Sequence, residues 1–154
     1  MSFDHRLRVK NILLGVTATL DDGATAAQII VLYSGGPENV KALFYVTDYD
    51  AVITIDRPRR VKSPDEKTRY DGDPLRYTAE LEVHVMAVDK ITVTATKLLN
   101  KIRASLQTTV IGAAWQAEFD IHLMRDSPNN QVIGGYDPLW CDDYVIRYRP
   151  LVST

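Results

Sequence analysis

The chain has 154 residues, 45% of them hydrophobic, enough for one globular core that buries roughly 70% of the surface an unfolded chain exposes. Its 18 Lys and Arg oppose 20 Asp and Glu, and the net charge of −2 lacks the basic excess of a general nucleic-acid binder. A lone Cys141 excludes a disulfide framework within the chain, and no apolar run reaches the ~18 residues that span a bilayer. The first six residues carry charge without an apolar segment and do not read as a signal peptide, so synthesis in the cytoplasm is the expectation.

In chain order, Phe3, Leu7, Ile12, Leu13, Leu14 and Val16 predict a first helix, with Ser2 or Asp4 as its N-cap and Arg6, Arg8, Lys10 and Asn11 on its outer face. Gly15 and the Asp21-Asp22-Gly23 turn bracket its end. Residues 27–33 are β-branched and apolar and predict a buried strand, closed by a Ser34-Gly35-Gly36-Pro37 turn. Residues 38–47 suit a short helix or a strand equally, and 50–56 predict a short strand. Residues 57–74 differ from everything around them: Pro58, Pro64, Gly72 and Pro74 punctuate a run dominated by charge, with only Val61 and Tyr70 apolar. A loop this long is uncommon in a compact domain and is either a solvated mobile segment or an arm that orders against a partner.

The next segment alternates strictly. Tyr77, Ala79, Leu81, Val83, Val85 and Ala87 take one side, and Thr78, Glu80, Glu82, His84 and Met86 take the other, which predicts a long half-buried strand. Ile91, Ala95, Leu98, Ile102 and Leu106 then mark one stripe of an amphipathic helix, with Asp89 as a suitable N-cap. Residues 91–96 also alternate, so strand or helix remains open there, whereas 97–107 are helical in composition. Residues 115–124 alternate again, Ser127-Pro128-Asn129-Asn130 predicts a turn, and Gly134-Gly135 a second break. The last strand covers 144–149, with Tyr144, Ile146 and Tyr148 on one side and Val145, Arg147 and Arg149 on the other. The sum is a single α+β domain, a mainly antiparallel sheet packed against two helices, with one long charged loop.

Chemistry is sparse. His5, His84 and His122 lie far apart in sequence without metal-ligand spacing; His84 and His122 could meet across a sheet, though surface histidines in strands are the simpler reading. Acidic Asp142 and Asp143 beside Cys141 suppress a thiolate, which argues for a structural cysteine. The Ser34–Pro37 turn lacks the lysine of a P-loop, and Asp48, Asp50 and Asp56 lack the glycine and glutamate of a calcium loop. The basic residues Arg57, Arg59, Arg60, Lys62, Lys67 and Arg69 form the sharpest charge anomaly. Interleaved Asp65, Glu66, Asp71 and Asp73 cancel much of their field, which suits docking onto an acidic protein surface better than phosphate binding. Trp115, Tyr144 and Tyr148 are expected in the core, while Tyr136 and Trp140 flank a Gly/Pro-containing loop and are the aromatic interface candidates.

Residues 77–85 (Tyr-Thr-Ala-Glu-Leu-Glu-Val-His-Val), the apolar Ala95, Leu98, Leu99 and Ile102, and Tyr144-Val145-Ile146-Arg147-Tyr148 share an arrangement with one known family. An N-terminal helix, a charged loop, a long strand running through Asp89 into a helix, and a closing hairpin resemble the tail terminator (tail completion) proteins of tailed bacteriophages. The likeness covers most of the chain as an order of elements, not as a sequence motif. It implies a structural virion protein with no catalytic role and no cofactor or metal. Copies would form a ring, a hexamer in such families, that caps the tail tube, contacts tail-tube and head/neck connector proteins, and is assembled in the host cytoplasm. The charged arm would then reach a neighbouring subunit or the tube. Glu80, Glu82, Glu118 and Asp120 would line a lumen through which DNA passes without specific binding, held off by like charge. Alternatives are another head–tail connector, a small-molecule-binding or regulatory domain with Tyr33, Tyr45 and Trp140 around a pocket, and an enzyme assembled from Asp48, Asp50 and Asp143.

Overall fold

The computed structural model describes residues 6–34, 40–45, 47–61, 78–132 and 139–150. The elements are α1 (Arg6–Leu13), β1 (Ile29–Tyr33), α2 (Val40–Tyr45), β2 (Ala51–Ile55), β3 (Arg59–Val61), β4 (Thr78–Val88), α3 (Ala95–Val110), α4 (Ala113–Gln116), β5 (Phe119–Val132) and β6 (Leu139–Pro150). They form an α+β fold around one sheet ordered β1-β2-β4-β6-β5, with β3 paired to β4 off that path. β1 and β2 run parallel, joined through α2, and every other pairing is antiparallel.

The alternation of β4 decides the layers. Ala79, Leu81, Val83, Val85 and Ala87 are fully buried beneath α1 and α3, together with Ile53 and Ile55 of β2 and Tyr144, Ile146 and Tyr148 of β6. The buried stripe of α3 is Ala95, Leu98, Leu99, Ile102, Leu106 and Val110, matching the predicted stripe from Ala95 on. Ile91 is a correction: it is fully solvent-exposed at 104%, in a turn that Lys90 and Val93 close with two backbone hydrogen bonds of 2.9 and 3.2 Å. Residues 91–94 therefore belong to neither strand nor helix. The first amides of α3 are held from two directions. The Ala95 N–H donates to Asp89 Oδ1 at 2.8 Å, while the Thr94 N–H and hydroxyl donate to Asp21 at 3.0 and 2.7 Å. Carboxylates at a helix N-terminus satisfy amides that have no partner within the helix and complement its dipole. The Asp21-Asp22-Gly23 turn, with Gly23 at a φ of 72°, thus caps a remote helix and does not end α1, which stops at Leu13.

α1 also faces otherwise than its pattern suggests. Val9, Leu13 and Val16 are buried, whereas Leu7 and Leu14 are 64% and 58% exposed. Its basic residues lie against neighbours: Arg6 and Lys10 sit 4.8 and 5.1 Å from the Tyr33 ring centroid, and Arg8 donates from Nε to Glu118 at 2.7 Å. The expected caps Ser2 and Asp4 and the core residue Phe3 lie outside the described residues.

The C-terminal third departs most from its sequence pattern. Trp115 belongs to the short helix α4, and β5 starts only at Phe119. Trp115, Phe119 and Tyr148 form an aromatic cluster, with centroids 4.6, 4.7 and 5.8 Å apart and tilted or edge-on rings. Such geometry adds to the area each ring buries. The expected turn at 127–130 is instead an irregularity inside β5, where the register shifts between Ser127 and Asn130 and the strand continues to Val132. A bulge absorbs the residues that a proline would otherwise drive out of the ladder. β6 likewise begins at Leu139, five residues before the predicted strand.

Candidate functional site

The second side of the sheet divides into an apolar half and a charged half. Over the apolar half, α2 sets Phe44 on Val52 and Val88, with Ile30, Leu32, Leu43, Met86 and Leu139 around them. Residues 38–47, which suited a helix or a strand equally, thus supply a helix, in addition to the two that the sequence expected to pack on the sheet. The charged half begins where Met86 gives way to His84, and it is built by register. Thr54 of β2 and Asp143 of β6 are the cross-strand partners of His84, and Arg59 and Arg147 are those of Glu80.

His84 lies between carboxylates. Its Nδ1 is 2.6 Å from Asp143 Oδ1, and its Nε2 is 3.2 Å from Asp56 Oδ2 and 3.8 Å from Glu82 Oε2. Asp56 is fixed just beyond β2, where its N–H donates to the Glu82 carbonyl at 2.9 Å. Burial works against an imidazolium, but Asp143 and then Asp56 outweigh it, so the His84 pKa is raised. The Asp56 carboxyl is lowered in turn: burial opposes ionisation, and the Ser34 hydroxyl and His84 more than offset it. Cys141 completes the neighbourhood, its Sγ 3.3 Å from Asp143 Oδ1. Burial and then Asp143 push this thiol up to about 12, so it remains protonated and is no nucleophile near neutral pH.

Glu80 anchors the other end of the charged half. It is only 3% exposed and accepts from Arg59 Nε at 3.1 Å and from Arg147 Nη2 at 3.0 Å. The Arg59 hydrogen bond holds its pKa down against burial, with Arg147 assisting. On the opposite side of β6, Asp142 is fully buried and accepts from Arg103 Nη2 at 2.9 Å and from the Tyr144 hydroxyl at 3.3 Å. Adjacent residues on one strand thus serve two layers: Asp142 lies under α3 and Asp143 joins His84.

Among the described residues, the predicted site residues do not converge. Arg57 is exposed after β2, and Arg59 belongs to β3, tied to Glu80; this part of the expected loop is sheet. Arg60 is in β3 as well, while Lys62, Lys67 and Arg69 lie outside the described residues. Glu80 cannot offer a free carboxylate to a lumen, because it is buried between two guanidinium groups. Glu82 is half-exposed beside His84, whereas Glu118 pairs with Arg8 on the helix-covered side, so these two do not share a surface. Asp120 is near the start of β5. Trp140 is a strand residue of β6 packed against the main core, its buried Nε1 without a hydrogen-bond partner among the described residues, and Tyr136 lies outside them.

Tyr33, Tyr45 and Trp140 do not frame one pocket either. Tyr33 and Trp140 pack on the helix-covered side with β2 and β4 between their strands, and Tyr45 ends α2 on the other side. Asp48 pairs with Lys90 and Asp50 accepts the Gln28 N–H, leaving only Asp143 in the cluster. His122 stands opposite Tyr148 in the register, rungs away from the His84–Asp143 pair. The His84 cluster itself draws on residues 56, 82, 84, 141 and 143. The signals that could have found it were the histidine within an alternating strand and the acidic pair in the last one. No family model matches this sequence, and neither does any curated protein. Among the described residues, no helix is long and apolar enough to cross a membrane.

Proposed function

We propose that this chain is a structural subunit that assembles with copies of itself into a closed ring, in the manner of the phage tail terminators whose order of elements it resembles. The observation that carries this reading is the pair of unlike edges on the sheet. Among the described residues, one edge is the five-residue β1, held only by a parallel partner, and the other is the 14-residue β5, paired only to β6. An open strand edge presents unpaired backbone donors and acceptors to a second chain. Two different edges make a contact between copies heterologous, and heterologous contacts close into rings when the rotation permits.

Further support comes from α1, whose outer side exposes Leu7 and Leu14 at one heptad spacing. The setting proposed is a virion, with the ring between tail tube and head or neck. The charged residues that follow β3 would engage a neighbouring subunit or the tube.

Light scattering of the purified chain across a wide concentration range, with negative-stain imaging of any large species, tests the proposal. A discrete high-order species with a central hole is expected. A monomer at every concentration would overturn self-assembly and, with it, this reading.

A further inference from the structure

We propose that Asp56, Glu82 and His84 form a binding site for one divalent transition-metal ion of zinc's class, with Asp143 orienting the imidazole from behind. The site is independent of ring assembly and comes from the spacing of the ligand atoms. A tetrahedral ion with bonds of about 2.0–2.2 Å separates neighbouring ligand atoms by about 3.3–3.6 Å. The two distances from His84 Nε2, 3.2 Å to Asp56 Oδ2 and 3.8 Å to Glu82 Oε2, straddle that edge length. All three ligand atoms lie within 4.8 Å of one another, so the Asp56–Glu82 edge has to close by at most about 1.2 Å to reach the tetrahedral value.

The other side of the ring is built differently. At 2.6 Å, His84 Nδ1 and Asp143 Oδ1 are too close to be two ligands of one ion and fit a charge-assisted hydrogen bond. When Nδ1–H donates to Asp143, the lone pair of a neutral imidazole falls on Nε2, toward Asp56 and Glu82. A ligating histidine whose second nitrogen is held by a carboxylate is the usual arrangement at protein metal sites. This also separates the two overlapping candidate sets, since His84, Cys141 and Asp143 would need the 2.6 Å pair to share an ion.

Two further features favour an ion. Asp56 and Glu82 both approach His84 Nε2 at a half-exposed position, so an ion that displaces the imidazole proton there meets two carboxylates at once. The donors are also placed by backbone: Glu82 and His84 alternate along β4, and Asp56 is pinned to β4 through its own N–H, with the Ser34 hydroxyl on its carboxylate. One imidazole and two carboxylates suit zinc or manganese better than a soft copper site. The partial exposure leaves a coordination position for water, as in sites that do more than brace a fold.

Isothermal titration of the full chain with zinc chloride, paired with thermal melts, decides the matter. Saturable binding of one ion per chain is expected, with a rise in Tm that Glu82→Gln and His84→Ala abolish. Asp143→Asn should weaken binding by about 10–100-fold, as loss of an orienting partner does. Cys141→Ser should leave it unchanged. Absence of saturable binding to the wild-type chain would overturn the proposal, and so would loss of binding in Cys141→Ser with Glu82→Gln unaffected. Should His84→Ala fail to fold, Glu82→Gln carries the test, because Glu82 is half-exposed and its removal leaves the core intact.

Discussion

The two sides of the sheet use the same strands for opposite ends. Beneath α1 and α3 the odd positions of β4 are all apolar and meet the long stripe of α3, so burial alone specifies the packing. On the other side the even positions of β4 run from Val88 and Met86 under α2 to His84, Glu82 and Glu80, which are placed by charge and hydrogen bonds. The first side is tolerant of detail because hydrophobic attraction has no direction. The second is sensitive to single atoms because an ion pair depends on distance and on both partners. Fold and candidate chemistry are thereby kept apart on one scaffold.

The comparison is broken most severely from the helix-covered side. Trp115→Ala should cost about 3–5 kcal/mol, since it empties the aromatic cluster with Phe119 and Tyr148. Leu98→Ala in α3 should cost about 2–5 kcal/mol. Both losses would be read from chemical denaturation midpoints, and little change would mean that α3 and α4 do not cover this core. Arg103→Ala should fall in the same range, about 3–5 kcal/mol, because it strands the fully buried Asp142 carboxylate. Arg103→Ala combined with Asp142→Asn should recover part of that loss. A double variant as unstable as the single would show that the guanidinium contributes through packing alone.

On the charged side the effects should be smaller and dependent on pH. Glu80→Gln should cost about 1–3 kcal/mol at neutral pH, as for hydrogen bonds to charged groups. The folded pKa of Glu80 lies below its ordinary value of 4.5, so its contribution is present above that value and lost as pH falls through the folded one. Denaturation midpoints measured down an acid series should therefore fall more steeply in the wild type than in Glu80→Gln; parallel curves would sink the clamp. The smallest effect is expected back on the helix-covered side, for Arg8→Ala, about 0–1 kcal/mol, because the Arg8–Glu118 pair is more than a third exposed.

Much of the architecture is legible in the order of residues alone. The alternation of 77–87 announces a strand with one packed side, and the spacing of Ala95, Leu98, Ile102 and Leu106 announces the helix over it. Short-range rules fail where a tertiary contact outweighs them. The Ser127-Pro128-Asn129-Asn130 turn signal gives way to pairing with β6 on both sides of a bulge. Trp115 follows strand periodicity, yet lies in a helical turn from which it fills the space beside Phe119 and Tyr148. Arg59 reads as an arm residue because nothing local reveals that Glu80, 21 positions later, becomes its partner.

By itself the sequence determined the packed side of β4 and, from Ala95 on, the buried stripe of α3, since these follow from side-chain chemistry and from the two-residue and 3.6-residue periods of strand and helix. It also determined that Cys141 has no disulfide partner in the chain and that the charge balance is nearly even. Only the tertiary structure decided which polar groups meet. The order β1-β2-β4-β6-β5 and its register place Asp143 opposite His84, bring Asp56 beside them, and close Arg59 and Arg147 on Glu80. The reason is physical: a one-residue slip of register exchanges the sides of a strand, so contacts between strands are set by how all of them pack together and not by any one of them alone.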